Sequence, residues 1–241
     1  MDPVTILVPG AWMGSWAWIP AVESLVRGGI RARTLTLSGL GRPGAPDSAN
    51  AAGVTLEDHV AQVVNLIDEC PTCMVNLVSH SYSAMVTVQA ADRRPDRMKR
   101  LIHLAGFIPD DGDCLLDLLG LNEAEREAEL ESIEENQGLW APPTGPELAG
   151  EPGLGTLDLR FLIERFRPHP GRTLTDPARL SRPASEQPTT YVSLDSSIAH
   201  PALPDAKDWT FRHMRSGHWP MLTHTKELVA LLAEEVGLAR V

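Results

Sequence analysis

Three side chains that could share a proton relay lie far apart in the chain: Ser81, Asp195 and His218. Ser81 sits within Val75-Asn76-Leu77-Val78-Ser79-His80-Ser81-Tyr82-Ser83-Ala84-Met85, where an apolar run stops at a polar knot and resumes with helical spacing. A strand, a sharp turn and a helix would present one hydroxyl in this way. A serine hydroxyl attacks nothing at neutral pH without a base beside it. His218 is a candidate base, held on a loop between Gly217 and Pro220 ahead of an amphipathic helix. Between serine and histidine, Thr189-Thr190-Tyr191-Val192-Ser193-Leu194 is a β-branched and aromatic run ending at Asp195, which puts a carboxylate at a strand's C-terminal edge. Each has a plainer reading alone: a serine-rich loop, an aspartate opening the turn Asp195-Ser196-Ser197, a surface histidine. Together they have the order and placement of nucleophile, orienting acid and general base.

The elements that must position them alternate between strand and helix patterns, as in a mostly parallel sheet. Residues 4–8 read as a first strand, about 16–28 as a helix and 31–37 as a second strand. Thr55-Leu56-Glu57-Asp58 caps a helix running to about Asp68, with Val60, Val63, Val64 and Ile67 on one face. Residues 73–78 form the strand before the serine, 82–93 its helix and 101–105 the next strand. Gly39-Leu40-Gly41 is too short for a phosphate loop and lacks the following Lys-Ser/Thr. After Gly112 the pattern changes to an apolar stretch at 115–119, an acidic helix at 122–136, a Pro/Gly-rich stretch and a helix at 157–166. An insertion of this length between core strands with leucines at helical spacing predicts a helical lid.

The segment Ile6-Leu7-Val8-Pro9-Gly10-Ala11-Trp12-Met13-Gly14-Ser15-Trp16-Ala17-Trp18 resembles the L-V-H-G-A-W-H-G-A-W-x-W opening of small, cofactor-free α/β-hydrolases. That group includes plant methylesterases, hydroxynitrile lyases and bacterial esterases. Gly217-His218-Trp219-Pro220-Met221-Leu222 with Lys226-Glu227-Leu228 is similar to the group's ending. The likeness covers nearly the whole chain and weakens between about 112 and 187. It implies an α/β-hydrolase fold, α/β in class, with a core of 1–108 and 188–241 and a lid of 109–187 inserted before the penultimate core strand.

Carried over by position, the resemblance implies Ser81 as nucleophile, His218 as base and then acid, and Asp195 as the carboxylate that orients the imidazole. The backbone N–H groups of Ala11 and Tyr82 would form the oxyanion hole, Gly10 would allow the turn that aims the first, and no cofactor would be needed. Pocket lining is expected from Gly10, Trp12, Met13 and Trp219 of the core and Leu115, Leu119, Trp140 and Phe166 of the lid. The chain departs from the family pattern at Pro9 and Met13, where histidines are usual, and at Ser79 and Ser83, which replace the glycines of G-x-S-x-G. Hydroxynitrile lyases carry lysine and threonine where this chain has Trp219 and Gly10, which disfavours cyanohydrin chemistry.

The expected activity is serine hydrolysis of a small to medium hydrophobic carboxylic ester through an acyl-enzyme. Two rivals stay open: a lyase, elimination or cyclisation reaction on the same fold, and a ligand-binding module without turnover. At 241 residues and 43% hydrophobic, the chain can bury the core of one α/β domain. A net charge of −11 disfavours nucleic acid and anionic membranes as partners. Met1-Asp2-Pro3 runs directly into a strand with no signal-peptide pattern and no membrane span follows, so a cytoplasmic protein is expected. Cys70-Pro71-Thr72-Cys73 has redox or half-zinc spacing, yet no second motif completes four ligands; three cysteines suit a reducing compartment, and no metal is expected. A homodimer is compatible with the sequence, which carries no signal for oligomeric state.

Overall fold

The structure, a computed structural model, describes residues 2–45, 48, 50–196, 203 and 205–237. In chain order it contains β1 (Val4–Val8), α1 (Ile19–Arg27), β2 (Arg31–Thr34), α2 (Leu56–Asp68), β3 (Val75–His80), α3 (Ser83–Arg93) and β4 (Met98–Leu104). Then follow α4 (Leu115–Leu118), α5 (Glu123–Glu135), β5 (Leu139–Trp140), α6 (Gly145–Leu148), α7 (Thr156–Arg165), β6 (His169–Pro170) and α8 (Arg172–Thr175). The chain closes with β7 (Thr189–Leu194), β8 (Thr210–Met214), α9 (Pro220–Thr223) and α10 (Thr225–Glu235). Six strands form one sheet in the order β2-β1-β3-β4-β7-β8, and every neighbouring pair is parallel. The serine strand β3 is therefore interior, with a strand on either side.

Strand alternation divides the core in two. Ile6, Val8, Val75 and Leu77 point to the side of α2 and α3, packing with Val60, Val63, Met85 and Val86. Leu7, Val78, Ile102 and Val192 point the other way, to Ala21 and Leu25 of α1 and Leu228 and Leu232 of α10. Side chains burying both faces are what a parallel sheet covered by helices requires. The expected capping box at Thr55 is present: its hydroxyl accepts from Asp58 N–H at 3.0 Å, and Asp58 accepts from Thr55 N–H at 2.9 Å.

Two boundaries move in ways that matter to the site. β2 stops at Thr34 rather than 37, and β3 runs to His80 rather than 78 because pairing to β4 continues through His80 and Leu104. Ser81 is thus the first residue off the sheet. Residues 109–187 lie between β4 and β7 and carry α4–α8 and an antiparallel ribbon of β5 and β6. Cys70 and Cys73 are joined in a disulfide, which the reading of three cysteines as suited to a reducing compartment did not anticipate; Cys114 is free and buried. Among the described residues no helix is long and apolar enough to cross a membrane, and no cluster of three metal-ligating side chains occurs.

Candidate active site

Ser81 adopts φ 53°, in the left-handed region that non-glycine residues rarely enter. Its backbone is held there from two sides: its N–H donates to Leu104 O at 2.9 Å and its O accepts from Phe107 N–H at 3.3 Å. The turn lifts the side chain off the end of β3 just before α3 begins. The two serines that replace the usual glycines are bonded as well as accommodated. Ser83 Oγ accepts from His80 N–H at 2.9 Å and lies 2.9 Å from Val8 O, tying the elbow to β1. Ser79 Oγ lies 2.6 Å from Nδ1 of buried His103 on β4.

The loop after β1 approaches this elbow closely. A Cβ on Gly10 would stand 2.6 Å from His80 Nδ1 and 2.9 Å from His80 O, so close approach demands glycine there. The left-handed residue of this loop is Trp12, with φ 62°. Trp12 is held in that conformation by the 109–187 segment: its N–H donates to His169 Nδ1 at 3.2 Å and its O accepts from Arg167 N–H at 3.0 Å. Its ring packs on Trp140 with centroids 4.1 Å apart. Among the described residues no backbone acceptor takes the N–H of Ala11 or Tyr82. The Tyr82 side chain is anchored away from the loop. His59 Nε2 lies 2.8 Å from Ser38 O, which can only accept, so Nε2 carries the proton and Nδ1 accepts from the Tyr82 hydroxyl at 2.8 Å. Burial pushes the Tyr82 hydroxyl far above its usual titration range.

His218 is buried and lines the same cavity as Ser81. Its carbonyl accepts from His80 Nε2 at 2.7 Å, and the two rings lie 4.6 Å apart. The orienting carboxylate expected from Asp195 is not on this imidazole. Asp195 is half exposed and its Oδ1 lies 3.1 Å from His213 Nε2, while Ser193 Oγ lies 3.1 Å from Nδ1 of the same ring. The reason is strand alternation: residues 193 and 195 share a face, and register pairs Ser193 with His213 on β8. The backbone of Asp195 approaches the histidine loop, its N–H donating to Ser216 O at 2.8 Å. The remaining residues of the turn expected at 195–197 extend to Ser197, outside the described residues. Asp110 and Asp111 offer no substitute, being exposed, with Asp111 accepting from Leu180 N–H at 2.8 Å. Among the described residues, a carboxylate that touches residue 218 is that of Glu151, whose Oε1 accepts the His218 backbone N–H.

Ser81 and His218 open into a cavity of about 280 Å³. Trp12, Leu115, Leu119 and Trp140 line it as expected, together with Ala11 and Tyr82. Gly10, Met13, Phe166 and Trp219 do not. Met13 packs into the core beside Trp18 and Ala21, and Gly10 is pressed against His80. Phe166 and Trp219 are buried and pack against each other, their tilted rings 6.2 Å apart. Phe107, Pro143, Glu147 and Leu148 complete the lining.

Residues 5–231 match the model of the alpha/beta hydrolase family. The chain belongs to that family. It is 37% identical over 114 residues to a carbendazim hydrolyzing esterase of Nocardioides sp. (strain SG-4G), an alignment covering 47% of this chain and 46% of that one. It is 28% identical over 107 residues to methylesterase 8 of Arabidopsis thaliana, covering 44% and 38% of the two chains. The chain thus spans less than half the length of the curated relatives it matches. An extracellular alpha/beta-hydrolase from a Paenibacillus species, described as sharing structural and functional homology with tobacco salicylic acid binding protein 2, superposes with a TM-score of 0.83. That likeness has 18% identity and covers 97% of this chain and 98% of the other, so it bears on the fold alone.

Within this alpha/beta hydrolase, the residues that sequence reasoning missed differ in how they could have been found. Phe107 follows Ala105-Gly106 directly after β4, a strand end facing the elbow, so topology pointed to it. His169 and Glu151 lie in the 109–187 segment with no local pattern that distinguishes them from neighbouring polar residues. Only the packing of that segment on the loops after β1 and β8 reveals them.

Proposed function

We propose that this alpha/beta hydrolase cleaves a small to medium hydrophobic carboxylic ester through an acyl-enzyme on Ser81. The observation that carries the reading is the left-handed backbone of Ser81, which opens the hydroxyl into a mainly apolar cavity that also holds His218. His218 takes the hydroxyl proton as Ser81 attacks the carbonyl carbon, then returns it to the leaving alcohol. The amides of Ala11 and Tyr82 receive the oxyanion, for which each such donor is worth roughly 3 to 4 kcal/mol. Water, deprotonated by His218, then releases the acid and restores the serine.

Ester chemistry is supported by the relatives named as esterases, and the cavity volume of about 280 Å³ suits a substrate of modest size. The aromatic walls of Trp12, Trp140 and Phe107 favour a flat or branched apolar group over a polysaccharide or peptide. Incubation with short p-nitrophenyl esters and, separately, with a fluorophosphonate tests the reading. Release of p-nitrophenol and stoichiometric labelling of Ser81 are expected. Absence of both would overturn hydrolysis and leave non-hydrolytic chemistry or ligand binding in its place.

A further inference from the structure

The insertion reaches the backbone of His218 with a buried carboxylate. Glu151 follows the turn after α6, its N–H donating to Leu148 O at 3.1 Å, and only 6% of the residue is exposed. The acidic residues of α5 face solvent, so a glutamate withdrawn from water stands out in this segment. Burying a carboxylate costs several kcal/mol unless polar partners replace its hydration. One replacement is the His218 N–H.

The loop is shaped to receive it. A Cβ on Gly217 would stand 1.9 Å from Pro152 O and 2.9 Å from Glu151 Oε1, so residue 217 must be glycine for 151–152 to lie where they do. A Cβ on Gly153 would stand 3.3 Å from His224 Cε1, which extends the same seam to the start of α10. The His218 backbone is therefore clamped on both sides, its N–H by Glu151 and its C=O by His80 Nε2. Asp195, the carboxylate expected at the imidazole, is occupied with His213.

We infer that Glu151 is a positioning residue for His218: from the insertion, it holds the histidine's backbone N–H and sets a carboxylate against the loop from which the imidazole reaches the Ser81 cavity. The role presupposes Ser81 as nucleophile and His218 as base. Among the described residues, titratable or charged groups near His218 include His80 of β3, Glu147 of the insertion, which lines the same cavity, and His224, beside Gly153. A carboxylate bonded to the loop backbone favours the protonated ring, and its burial limits the screening of that interaction.

Glu151→Ala and Glu151→Gln, assayed in the full chain on p-nitrophenyl butyrate for kcat, KM and the pH dependence of kcat/KM, test this. Glu151→Ala should lower kcat roughly 10- to 100-fold with little change in KM, as expected when a reacting group is displaced. Glu151→Gln keeps an acceptor for the N–H and removes the charge. It should recover part of kcat while moving the acid limb of the kcat/KM profile to lower pH, because a ring without the adjacent charge loses its proton more readily. A purely structural role would alter amplitude and melting temperature and leave that limb in place. Wild-type kcat and an unmoved limb in Glu151→Gln would overturn the assignment, as would an approximately 10⁴-fold loss in Asp195→Asn alongside an unaffected Glu151→Gln. Turnover surviving in Ser81→Ala would instead defeat the hydrolase reading itself, so the two failures are distinct.

Discussion

Nδ1 of His169 accepts a hydrogen bond from the backbone N–H of Trp12 at 3.2 Å, joining residues 157 positions apart. It sits one residue from Ala11, whose amide is the proposed oxyanion donor, and on the residue whose left-handed φ of 62° shapes that loop. A left-handed tryptophan costs roughly 1 to 2 kcal/mol, so the loop needs an external partner to hold it. Replacing His169 with alanine should lower kcat about 10- to 100-fold with a smaller effect on KM, since the hole is misaligned rather than removed. Steady-state kinetics on a p-nitrophenyl ester decide this; wild-type kcat would show that the loop holds itself.

Ser81→Ala and His218→Ala are each expected to reduce kcat by several orders of magnitude, with the double variant hardly worse than either, because the two groups act in one proton transfer. Multiplying losses in the double variant would mean that the two side chains act independently.

Ser83 has a structural role that a glycine in the family motif could not fill. With Ser83→Ala, the His80 N–H and Val8 O lose their shared partner in a buried site. A loss of about 1 to 3 kcal/mol in unfolding free energy is expected, read as a lower urea midpoint at unchanged slope. An unchanged midpoint would show that other groups satisfy the elbow.

Burial holds several histidines neutral: His59 is brought down to about 4 and His103 to about 3, and His80 and His169 lie well below the ordinary value of 6.5. For His80 and His169 a neighbouring histidine, His218 and His59 respectively, adds to the desolvation. The unfolded chain takes up these protons near 6.5 and the folded chain does not, so their contribution is complete above that pH and declines as pH falls toward the folded values. By pH 4 the loss is on the order of 3 kcal/mol for each of His59 and His103. Urea unfolding from pH 7.5 to 4.5 should therefore show stability falling from about pH 6.5, above the range in which carboxylates protonate. His103→Gln should flatten the decline; a curve flat down to pH 5 would contradict the burial of these rings.

Much of the fold and part of the site was legible in the chain itself. The apolar run before Ser81, the Thr55 capping box and the strand–elbow–helix pattern at Ser81 are local signals, so the sequence alone determined a mostly parallel sheet with a serine in the turn after one of its strands. Trp12, Leu115, Leu119 and Trp140 followed as lining because they flank that strand end or lie on the insertion above it. Tertiary structure alone decided the rest. Whether Asp195 faces His218 or His213 depends on the register of β7 against β8, and a change of one residue would reverse its face. Which polar groups of the insertion reach the core, His169 and Glu151, depends on how a segment nearly eighty residues long packs back onto loops distant in sequence. Such contacts are set by the shape and burial of the whole domain, and local residue spacing does not encode them.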